Sequence, residues 1–392
     1  MFLYLESNMR PLISIIIPTK DRYTYLTQCI ESLVKTGKDT GNVMEIVVQD
    51  NTEDNHNILP LIQKYENDIK YFHIKEPISV VENSDNAILH SSGEYVCFIG
   101  DDDSVLPNIV KVADWMKANN VEACVGTIAR YNWPDLVVNF HKLHSISIPK
   151  EDGINRLVDP EKIAHNVLKS GGTSMLDLPK VYHGIVSRAA LNRVFAKTQS
   201  FFPGPSPDMS NAIALAFTVK NFALIDMPFI LSGFSYKSTG GQGARHRHIG
   251  RLEDIPFLPK DILSRWDNKL PRIWTSQTIW AQSALESLKR MDLTEQLQKF
   301  NYNSFYGTFI TFNWRLRNEL KSYVKSTSII GIANSIFKNV SKRANFFIKN
   351  IIIDKIPQLS TTHTEDGIKD LHHAVIAAQK YSENKDYSLP IL

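Results

Sequence analysis

Short runs of hydrophobic residues alternate with helically spaced ones along the first hundred positions of the chain. The run ISIII at residues 13–17 is typical of a strand covered on both faces, and Pro18 is expected to end it. From residue 22 to 36 apolar positions recur at helical spacing, and Gly37 stands where that helix would end. Further patterns predict strands at residues 45–50, 69–74 and 95–99, and a helix at 57–68. This alternation predicts an α/β fold with a mostly parallel sheet and helices on both faces.

Polar residues directly follow three of these predicted strands. They are Thr19, Lys20, Asp21 and Arg22 after the first, Asp50, Asn51 and Thr52 after the second, and Asp101, Asp102 and Asp103 after the fourth. In sheets of this class, ligands bind beyond the carboxyl ends of the strands. We therefore expect the three groups to meet at one edge of the sheet.

Three consecutive aspartates repel one another when ionised, unless a cation offsets their charge. Oxygen-only ligands suit a hard divalent ion such as Mg²⁺ or Mn²⁺, which could also neutralise phosphate oxygens. The alternative is structural, because an aspartate before Pro107 could cap the helix predicted at residues 107–117. Asp50 alone is also ambiguous, since aspartate is common in turns after strands.

Composition excludes several classes of protein. The 44 basic and 41 acidic residues among 392 give a net charge of +3, which does not indicate a nucleic-acid binder. Cys29, Cys97 and Cys124 are odd in number and lie in apolar patterns, so we expect reduced core thiols and not a disulfide framework. The first ten residues lack secretory-signal features, and no run reaches about 18 apolar residues. We therefore expect a cytoplasmic protein that does not span a membrane.

Three segments resemble the family 2 glycosyltransferases of the GT-A fold. SIIIPTKDR (14–22) is similar to the family's first strand and nucleotide-contacting loop, and EIVVQDNTED (45–54) to its second strand. NSDNAILHSSGEYVCFIGDDDSVLP (83–107) is similar to its Asn-containing helix, Gly-Glu-Tyr strand and DxD element. The resemblance covers about the first 115 residues, with the motifs in the family's order. Gln49 and Gly100 depart from it, because many members carry aspartate there.

The resemblance implies a nucleotide-sugar donor in the crevice of the sheet. The donor-binding residues that it implies are Thr19, Asp21, Arg22, Asp50, Asn86, Asp101 and Arg245, and the metal ligands are Asp102, Asp103 and His246. Thr19 and Asp50 would lie near the base and ribose, where a carboxylate can accept the imide N–H of uracil or thymine. Asn86 is either a pocket residue or a helix-packing residue. No GxGxxG follows the first strand, which argues against a nicotinamide or flavin dinucleotide site.

An inverting transfer also needs a base that takes the proton of the attacking acceptor hydroxyl. In the family this is an aspartate roughly a hundred residues after the DxD element, at the start of a helix, and Asp208 stands at that place. Its alternative role is that of a helix N-cap. His183, upstream, would line the acceptor pocket or simply pack there.

A glycine-rich segment follows at residues 231–248. Gly240, Gly241 and Gly243 precede Arg245 and His246, so this segment could close over a diphosphate. A solvated loop without a role in binding is the alternative.

The remainder, residues 251–392, resembles no family and is expected to form a helical C-terminal region. Within it, residues 329–353 contain no acidic residue and place Ile329, Ile336 and Phe347 on one helical face, with lysines on the other. Such a helix could lie on an anionic membrane surface, where a lipid-linked acceptor would be found. Packing against the catalytic domain or in an oligomer interface is the alternative.

Together these expectations define a catalytic domain at residues 9–250, with a nucleotide-sugar-binding half (9–115) and an acceptor half (116–250), followed by the 251–392 region. The expected activity is Mn²⁺- or Mg²⁺-dependent, inverting transfer from a nucleotide sugar to a glycan or lipid-linked glycan. The expected setting, bacterial surface-polysaccharide assembly, rests on family analogy. The alternative from another class is a non-catalytic module that binds sugar nucleotides or glycans and does not need Asp208.

Overall fold

The computed structural model describes residues 10–136, 143–150, 155–244, 249–324, 328–348, 360–383 and 389. Its strands are β1 (Ile13–Thr19), β2 (Met44–Asp50), β3 (Lys70–His73), β4 (Tyr95–Phe98), β5 (Ser104–Val105), β6 (Ala123–Asn132), β7 (Ser145–Pro149), β8 (Arg156–Val158), β9 (Ile185–Ser187), β10 (Phe222–Phe234), β11 (Gly250–Arg251), β12 (Ile273–Trp274) and β13 (Thr362–Asp366). Its α-helices are α1 (Tyr23–Asp39), α2 (Leu59–Lys64), α3 (Val80–Leu89), α4 (Asn108–Ala118), α5 (Pro160–Lys169), α6 (Arg188–Thr198), α7 (Pro207–Ala216), α8 (Thr239–Ala244), α9 (Ile262–Arg265), α10 (Ser276–Arg290), α11 (Thr294–Leu297), α12 (Tyr302–Phe312), α13 (Ile329–Phe347) and α14 (Leu371–Glu383). Short 3₁₀ helices cover Leu252–Asp254 and Trp314–Leu320.

The main sheet has the strand order β13-β7-β6-β9-β4-β1-β2-β3, and β10 pairs with β5, β6 and β8. β1 pairs in parallel with β2 and β4, and β2 pairs in parallel with β3. Farther along, β10 is parallel to β6, whereas β7, β9 and β13 are antiparallel to their neighbours. The prediction of an α/β fold with a largely parallel sheet flanked by helices is confirmed.

Two predicted element boundaries are wrong. β1 continues through Pro18 to Thr19. The carbonyl of Ile16 accepts a hydrogen bond from the N–H of Ile99, so the backbone N–H and C=O groups of the even-numbered residues of β1 point towards β4. Pro18 is one of these residues, but it lies beyond the last residue pair between β1 and β4. Its missing N–H therefore removes no hydrogen bond from the sheet. Likewise α1 runs through the buried Gly37 to Asp39, and its C-cap Thr40 directly precedes Gly41, whose φ of 76° is left-handed.

Helices cover both faces of the sheet. On one face, α1, α4 and α14 pack on a core that includes Ile15, Val48 and Leu231. On the other, α3, α6 and α7 pack on a core that includes Ile16, Val96 and Phe202. The three cysteines are free and buried in these cores, as predicted.

The C-terminal region has two parts. The helices from α9 to α12 share a core with α7 that includes Met209, Leu285 and Phe305, so α7 belongs to both layers. β13 instead pairs with β7 at the edge of the sheet, and α14 packs beside α1. Residues 360–383 are therefore part of the α/β layer and not of the helical region expected from residue 251. Within the described ranges, no helix is long and apolar enough to cross a membrane.

The buried carboxylate of Glu45 on β2 accepts hydrogen bonds from residues on β1 and β3. It lies at the end of the sheet opposite the polar groups. Glu45 on β2 accepts hydrogen bonds from Lys70 Nζ at 2.5 Å, from the N–H and hydroxyl of Ser92 at 2.7 Å each, and from Ser14 Oγ. Burial by itself raises the pKa of Glu45, but the hydrogen bonds from Lys70, Ser14 and Ser92 outweigh it and hold that pKa at about 2.

We expect this network to make folding stability fall in acid. Because the folded pKa of Glu45, about 2, lies below the ordinary value of 4.5, its contribution is complete above pH 4.5 and is lost as the pH falls towards 2. The contribution is at most about 3 kcal/mol, and less where water screens the exposed Lys70. Urea unfolding of the wild type and Glu45→Gln at pH 7 and pH 3 measures it. The difference between the two proteins should shrink at pH 3, and an unchanged difference would contradict the assignment.

Candidate active site

The carboxyl ends of β1, β2 and β4 meet as predicted. The N–H of Asn51 donates to the carbonyl of Thr19 at 3.0 Å, which joins the ends of β2 and β1. The hydroxyl of Thr19 donates to Asp101 Oδ2 at 2.6 Å, which joins β1 to the segment after β4. All three polar groups therefore lie at one edge of the sheet.

Arg22 supplies a positive charge to two of the three aspartates. Its guanidinium nitrogens lie 3.0 Å from Asp101 Oδ1 and 3.0 Å from Asp102 Oδ1. Ser235, which directly follows β10, donates to Asp102 Oδ2 at 2.5 Å and accepts from Arg22 at 3.1 Å. The side chains of Asp101 and Asp102 are 1% and 5% exposed, so this pairing takes place almost out of contact with water.

Asp103, which the resemblance implies as a metal ligand, makes several hydrogen bonds within the fold. Its Oδ2 accepts from the N–H of Gly100 at 2.7 Å and lies 2.6 Å from His183 Nε2, while its Oδ1 accepts from the N–H of Gly233 at 2.7 Å. His183 adopts a left-handed φ of 60°, a strained conformation for histidine that the surrounding structure must maintain. Asp103 therefore connects β4, β10 and the loop before β9.

The alternative that an aspartate of this run caps the next helix is wrong. The strand β5 intervenes, and α4 begins after Pro107 with no side-chain hydrogen bond to its N-terminus. The aspartates are thus held by tertiary contacts and not by α4.

Their different surroundings separate the pKa values of the three aspartates. Burial raises the pKa of Asp101 and of Asp102, and repulsion from the neighbouring carboxylates adds to this, whereas Arg22 opposes it. Burial also acts on Asp103, but the charge and hydrogen bond of His183 and the two backbone N–H groups outweigh it and lower the pKa. Asp103 is therefore the member of the run most firmly held as a carboxylate.

Two glycines allow this close packing. A Cβ on Gly233 would lie 1.8 Å from the carbonyl oxygen of Asp102, which also accepts from Trp133 Nε1 at 3.0 Å. A Cβ on Gly100 would lie 3.0 Å from Asp103 Oδ2 and 3.1 Å from Asp102 Oδ1. The position where many family members carry aspartate thus has little room for a side chain here.

Asp50 is fully buried and is held by two tyrosines. Its Oδ2 accepts from the hydroxyls of Tyr23 and Tyr71 at 2.7 Å each, and its Oδ1 accepts from the N–H of Thr52 at 2.8 Å. Burial and the carboxylate raise the pKa of the Tyr71 hydroxyl well above its ordinary value, although Asn55 opposes this. The hydroxyls of Tyr23 and Tyr71 therefore remain donors to Asp50.

The remaining predicted donor-side residues lie around this edge or outside the described ranges. Asp21 is exposed, has a left-handed φ of 57°, and accepts from Lys237 Nζ at its carbonyl at 3.3 Å. Asn86 is half-buried on α3, and on the same helix the amide of Asn83 donates to the Thr19 carbonyl at 3.5 Å. Arg245 and His246 lie outside the described residues.

Asp208 lies in the first turn of α7, partly exposed. Its Oδ1 accepts from the N–H of Met209 at 2.7 Å and from the hydroxyl of Ser206. Ser206, and not Asp208, is the N-cap residue. Burial raises the pKa of the Tyr182 hydroxyl, and the charges of Asp103, Asp102 and Asp208 raise it further. The Tyr182 hydroxyl donates to Asp103 Oδ2 at 3.4 Å.

A cavity of about 790 Å³ opens beside α3, bounded by residues 199–204 and 256–261. Asp85, Phe202, Lys260 and Arg290 line it. Burial raises the pKa of Asp85 to about 6, although hydrogen bonds from Ser200 and Phe201 oppose this. The cavity borders the segment that leads into α7 and Asp208, and not the aspartate run.

With this geometry established, comparison with known proteins identifies the N-terminal part of the chain. Residues 14–176 match the model described as glycosyl transferase family 2. This segment is a family 2 glycosyltransferase domain. The resemblance seen in the three sequence motifs is thus confirmed.

Curated relatives agree with the family 2 assignment over the same part of the chain. An uncharacterized glycosyltransferase of Rickettsia felis is 28% identical over 172 residues, which cover 40% of this chain and 28% of the relative. One of Rickettsia conorii is 30% identical over 172 residues, with the same coverage. The chain thus spans little more than a quarter of the length of these relatives.

Solved structures align over most of the chain with low identity. S. aureus TarS 1-349 in complex with UDP-GlcNAc is 12% identical with a TM-score of 0.45, and covers 80% of this chain and 89% of that one. The mannosyltransferase PcManGT from Pyrobaculum calidifontis, in complex with GDP-Man and Mn²⁺, is 13% identical with a TM-score of 0.40, and covers 96% and 88%.

Whether the family 2 domain can hold a divalent cation depends on the oxygens around Arg22. Among the described residues, no three His, Cys, Asp or Glu side chains form a metal-binding group. However, Asp101 Oδ1 and Asp102 Oδ1 converge on one cation, the Arg22 guanidinium, and within the described structure Asp101 Oδ1 is buried without a hydrogen bond. Carboxylate oxygens are the ligands that Mg²⁺ and Mn²⁺ prefer, so the chemistry of these two side chains suits such an ion.

Sequence reasoning missed several residues of the site. Tyr23, Tyr71 and Ser235 donate hydrogen bonds to the aspartate side chains. Gly233 donates to the side chain of Asp103, and Trp133 donates to the backbone carbonyl of Asp102. Tyr23 lies shortly after β1 and Tyr71 lies on β3, so the argument that the carboxyl ends of parallel strands meet could have found both residues. Ser235 lies 133 positions from its partner Asp102, and its sequence carries no signal for that contact.

Proposed function

We propose that this protein is a glycosyltransferase that moves a sugar from a nucleotide-sugar donor to a hydroxyl of a glycan or lipid-linked glycan. The observation that carries the proposal is the convergence of Thr19, Asp50 and the three aspartates at one sheet edge, within a segment of family 2 sequence. The proposed setting is bacterial surface-polysaccharide assembly, at the inner face of the cytoplasmic membrane.

The donor would lie across the ends of β1, β2 and β4. Thr19 and Asp50 would face the base and ribose, and Asp101 the ribose or sugar hydroxyls. Arg22, on the loop after β1, would face the diphosphate, where a guanidinium makes bidentate hydrogen bonds with phosphate oxygens. Asp21, on the same loop, also belongs to the proposed donor-binding set. Asn86 and Arg245 complete the proposed donor-binding set.

A divalent cation, Mn²⁺ or Mg²⁺, would be held by Asp102 together with Asp101. When bound, it would stabilise the negative charge of the nucleoside diphosphate as that group leaves. Asp103 would keep the run in position through Gly100, Gly233 and His183, and His246 is a further proposed ligand.

Asp208 would act as the general base of an inverting transfer. Its carboxylate would take the proton of the acceptor hydroxyl while that oxygen bonds to the anomeric carbon and the bond to the diphosphate breaks. In the described part of the chain, the hydrogen bonds to Asp208 reach Oδ1, which leaves Oδ2 to accept that proton. The acceptor would approach through the cavity beside α3.

The test is release of nucleoside diphosphate from a panel of nucleotide sugars with Mn²⁺, combined with thermal unfolding in the presence of each nucleoside diphosphate. A ligand that binds the native state raises the unfolding midpoint. We expect a raised midpoint with one nucleotide class and turnover of its sugar derivative. A midpoint that no nucleotide raises would contradict the proposal, and a raised midpoint without turnover would support the alternative, a non-catalytic binding module.

A further inference from the structure

The helix α13 packs on α12 through the side that carries Ile332, Ser335 and Asn339. Ser335 Oγ donates to the carbonyl of Ser304 at 3.0 Å, and Asn339 Nδ2 donates to Thr308 Oγ1 at 2.9 Å. At the closest approach, a Cβ on Gly307 would lie 2.4 Å from the Cβ of Ser335. The contact observed is thus with α12, which lies in the 251–392 region, whereas the alternative from the sequence named the catalytic domain or an oligomer interface.

The apolar side of α13 faces away from α12. Ile329, Ile330, Phe337, Val340 and Phe347 are 82%, 74%, 76%, 52% and 53% exposed, and we call these five residues the α13 apolar surface. At 100° per residue they fall within an arc of about 100°. Scattered exposed apolar residues are ordinary, but a continuous stripe marks a surface that another phase or molecule covers.

The surroundings of this surface are basic. Over the described residues of α12, the following 3₁₀ helix and α13 (302–324 and 328–348), the cations are Arg315, Arg317, Lys321, Lys338, Lys342 and Arg343, and the acid is Glu319. Two of the three arginines lie beside exposed aromatic rings: Arg317 is 4.5 Å from the ring centre of Trp314, and Arg343 is 5.2 Å from that of Phe312. Exposed aromatic rings beside cations are typical of segments at a membrane interface.

We propose that the α13 apolar surface docks on an anionic lipid bilayer. The apolar stripe would enter the boundary between headgroups and acyl chains, and the surrounding cations would meet the negative headgroups. A second copy of the chain is a less suitable occupant, because two basic surfaces would repel each other. This inference concerns location and not chemistry, and vesicle binding needs no donor, so it and the proposed transfer reaction can fail separately.

Sedimentation with vesicles tests the proposal on the full chain. We expect binding to vesicles of phosphatidylglycerol and phosphatidylcholine in equal parts to exceed binding to pure phosphatidylcholine by at least about tenfold at low salt. Binding should weaken severalfold in high salt, because exposed charges are screened within about 10 Å at 0.1 M ionic strength. Protein that stays in the supernatant with anionic vesicles at low salt overturns the proposal.

Matched variants locate the surface. Phe337→Glu with Val340→Glu should abolish sedimentation, whereas Leu89→Glu with Leu157→Glu, at positions 56% and 48% exposed elsewhere, should not. Lys338→Gln should weaken binding about fivefold. Because the altered side chains are exposed, thermal unfolding should be unchanged in each. Undiminished binding of the first variant overturns the assignment to α13, and a lipid-independent dimer that this variant dissociates would show a protein interface instead.

Discussion

Replacing Asp208 with asparagine should lower the rate of sugar transfer by about a hundredfold to ten-thousandfold, the range for loss of a general base. The amide cannot take the acceptor proton, but its oxygen can still accept the hydrogen bonds that Met209 and Ser206 make to Oδ1. The affinity for the nucleotide sugar should stay nearly unchanged, since the proposed donor site is built from β1, β2 and β4. Steady-state kinetics with a labelled donor measures both quantities.

Asp177 offers a matched control for this prediction. It is exposed, and its charge, like that of Asp208, acts on Lys180, where the two carboxylates oppose the lowering of the pKa by burial. Asp177→Asn changes the same electrostatic neighbourhood and leaves α7 intact, so transfer should fall little. Equal losses in the two variants, or a parallel loss of donor affinity and turnover in Asp208→Asn, would make Asp208 a structural residue of α7.

The sheet edge could be predicted because each of its parts is local in sequence. Parallel strands bring their carboxyl ends together, so Thr19, Asp50 and Asp101 were expected to meet before any tertiary contact was known. Hydrogen bonds between residues that lie far apart in the sequence were not predictable in this way. His183 and Ser235 lie 80 and 133 positions from the aspartates that they contact, and a single histidine or serine has no spacing that points to a distant partner.

The C-terminal part shows a different limit. Over the described residues 329–348, α13 has an exposed apolar side, and residues 349–353 of the predicted helix lie outside the described residues. Ile336, which was placed on the apolar face, is half-buried, whereas Phe337 is 76% exposed. The side of α13 that packs on α12 is set by the close approach of Ser335 to Gly307 on α12. The sequence of α13 alone does not contain that information. The strand β13 was missed because it is short and polar, and only its pairing with β7 makes it a strand.

Removing the divalent cation should abolish transfer, with a loss on the order of a thousandfold if the ion contributes several kcal/mol to stabilising the leaving diphosphate. Dialysis against a chelator followed by return of Mn²⁺ should reverse the effect. Activity that persists undiminished after exhaustive chelation would refute the metal assignment. Nucleotide binding with and without Mn²⁺, followed by calorimetry, reports the same dependence without relying on turnover.

Asp102 and Asp103 should respond differently to the same substitution. Asp102→Asn should lose the Mn²⁺-dependent part of nucleotide binding yet remain folded, because it removes one of three mutually repelling buried carboxylates and leaves Arg22 paired with Asp101. Asp103→Asn should instead lower the unfolding midpoint, since the carboxylate holds two backbone N–H groups and His183. If Asp102→Asn were as destabilising as Asp103→Asn, both residues would be structural, and the cation would have to bind elsewhere. The contrast between the two variants therefore tests whether Asp102 is a metal ligand and Asp103 a structural residue.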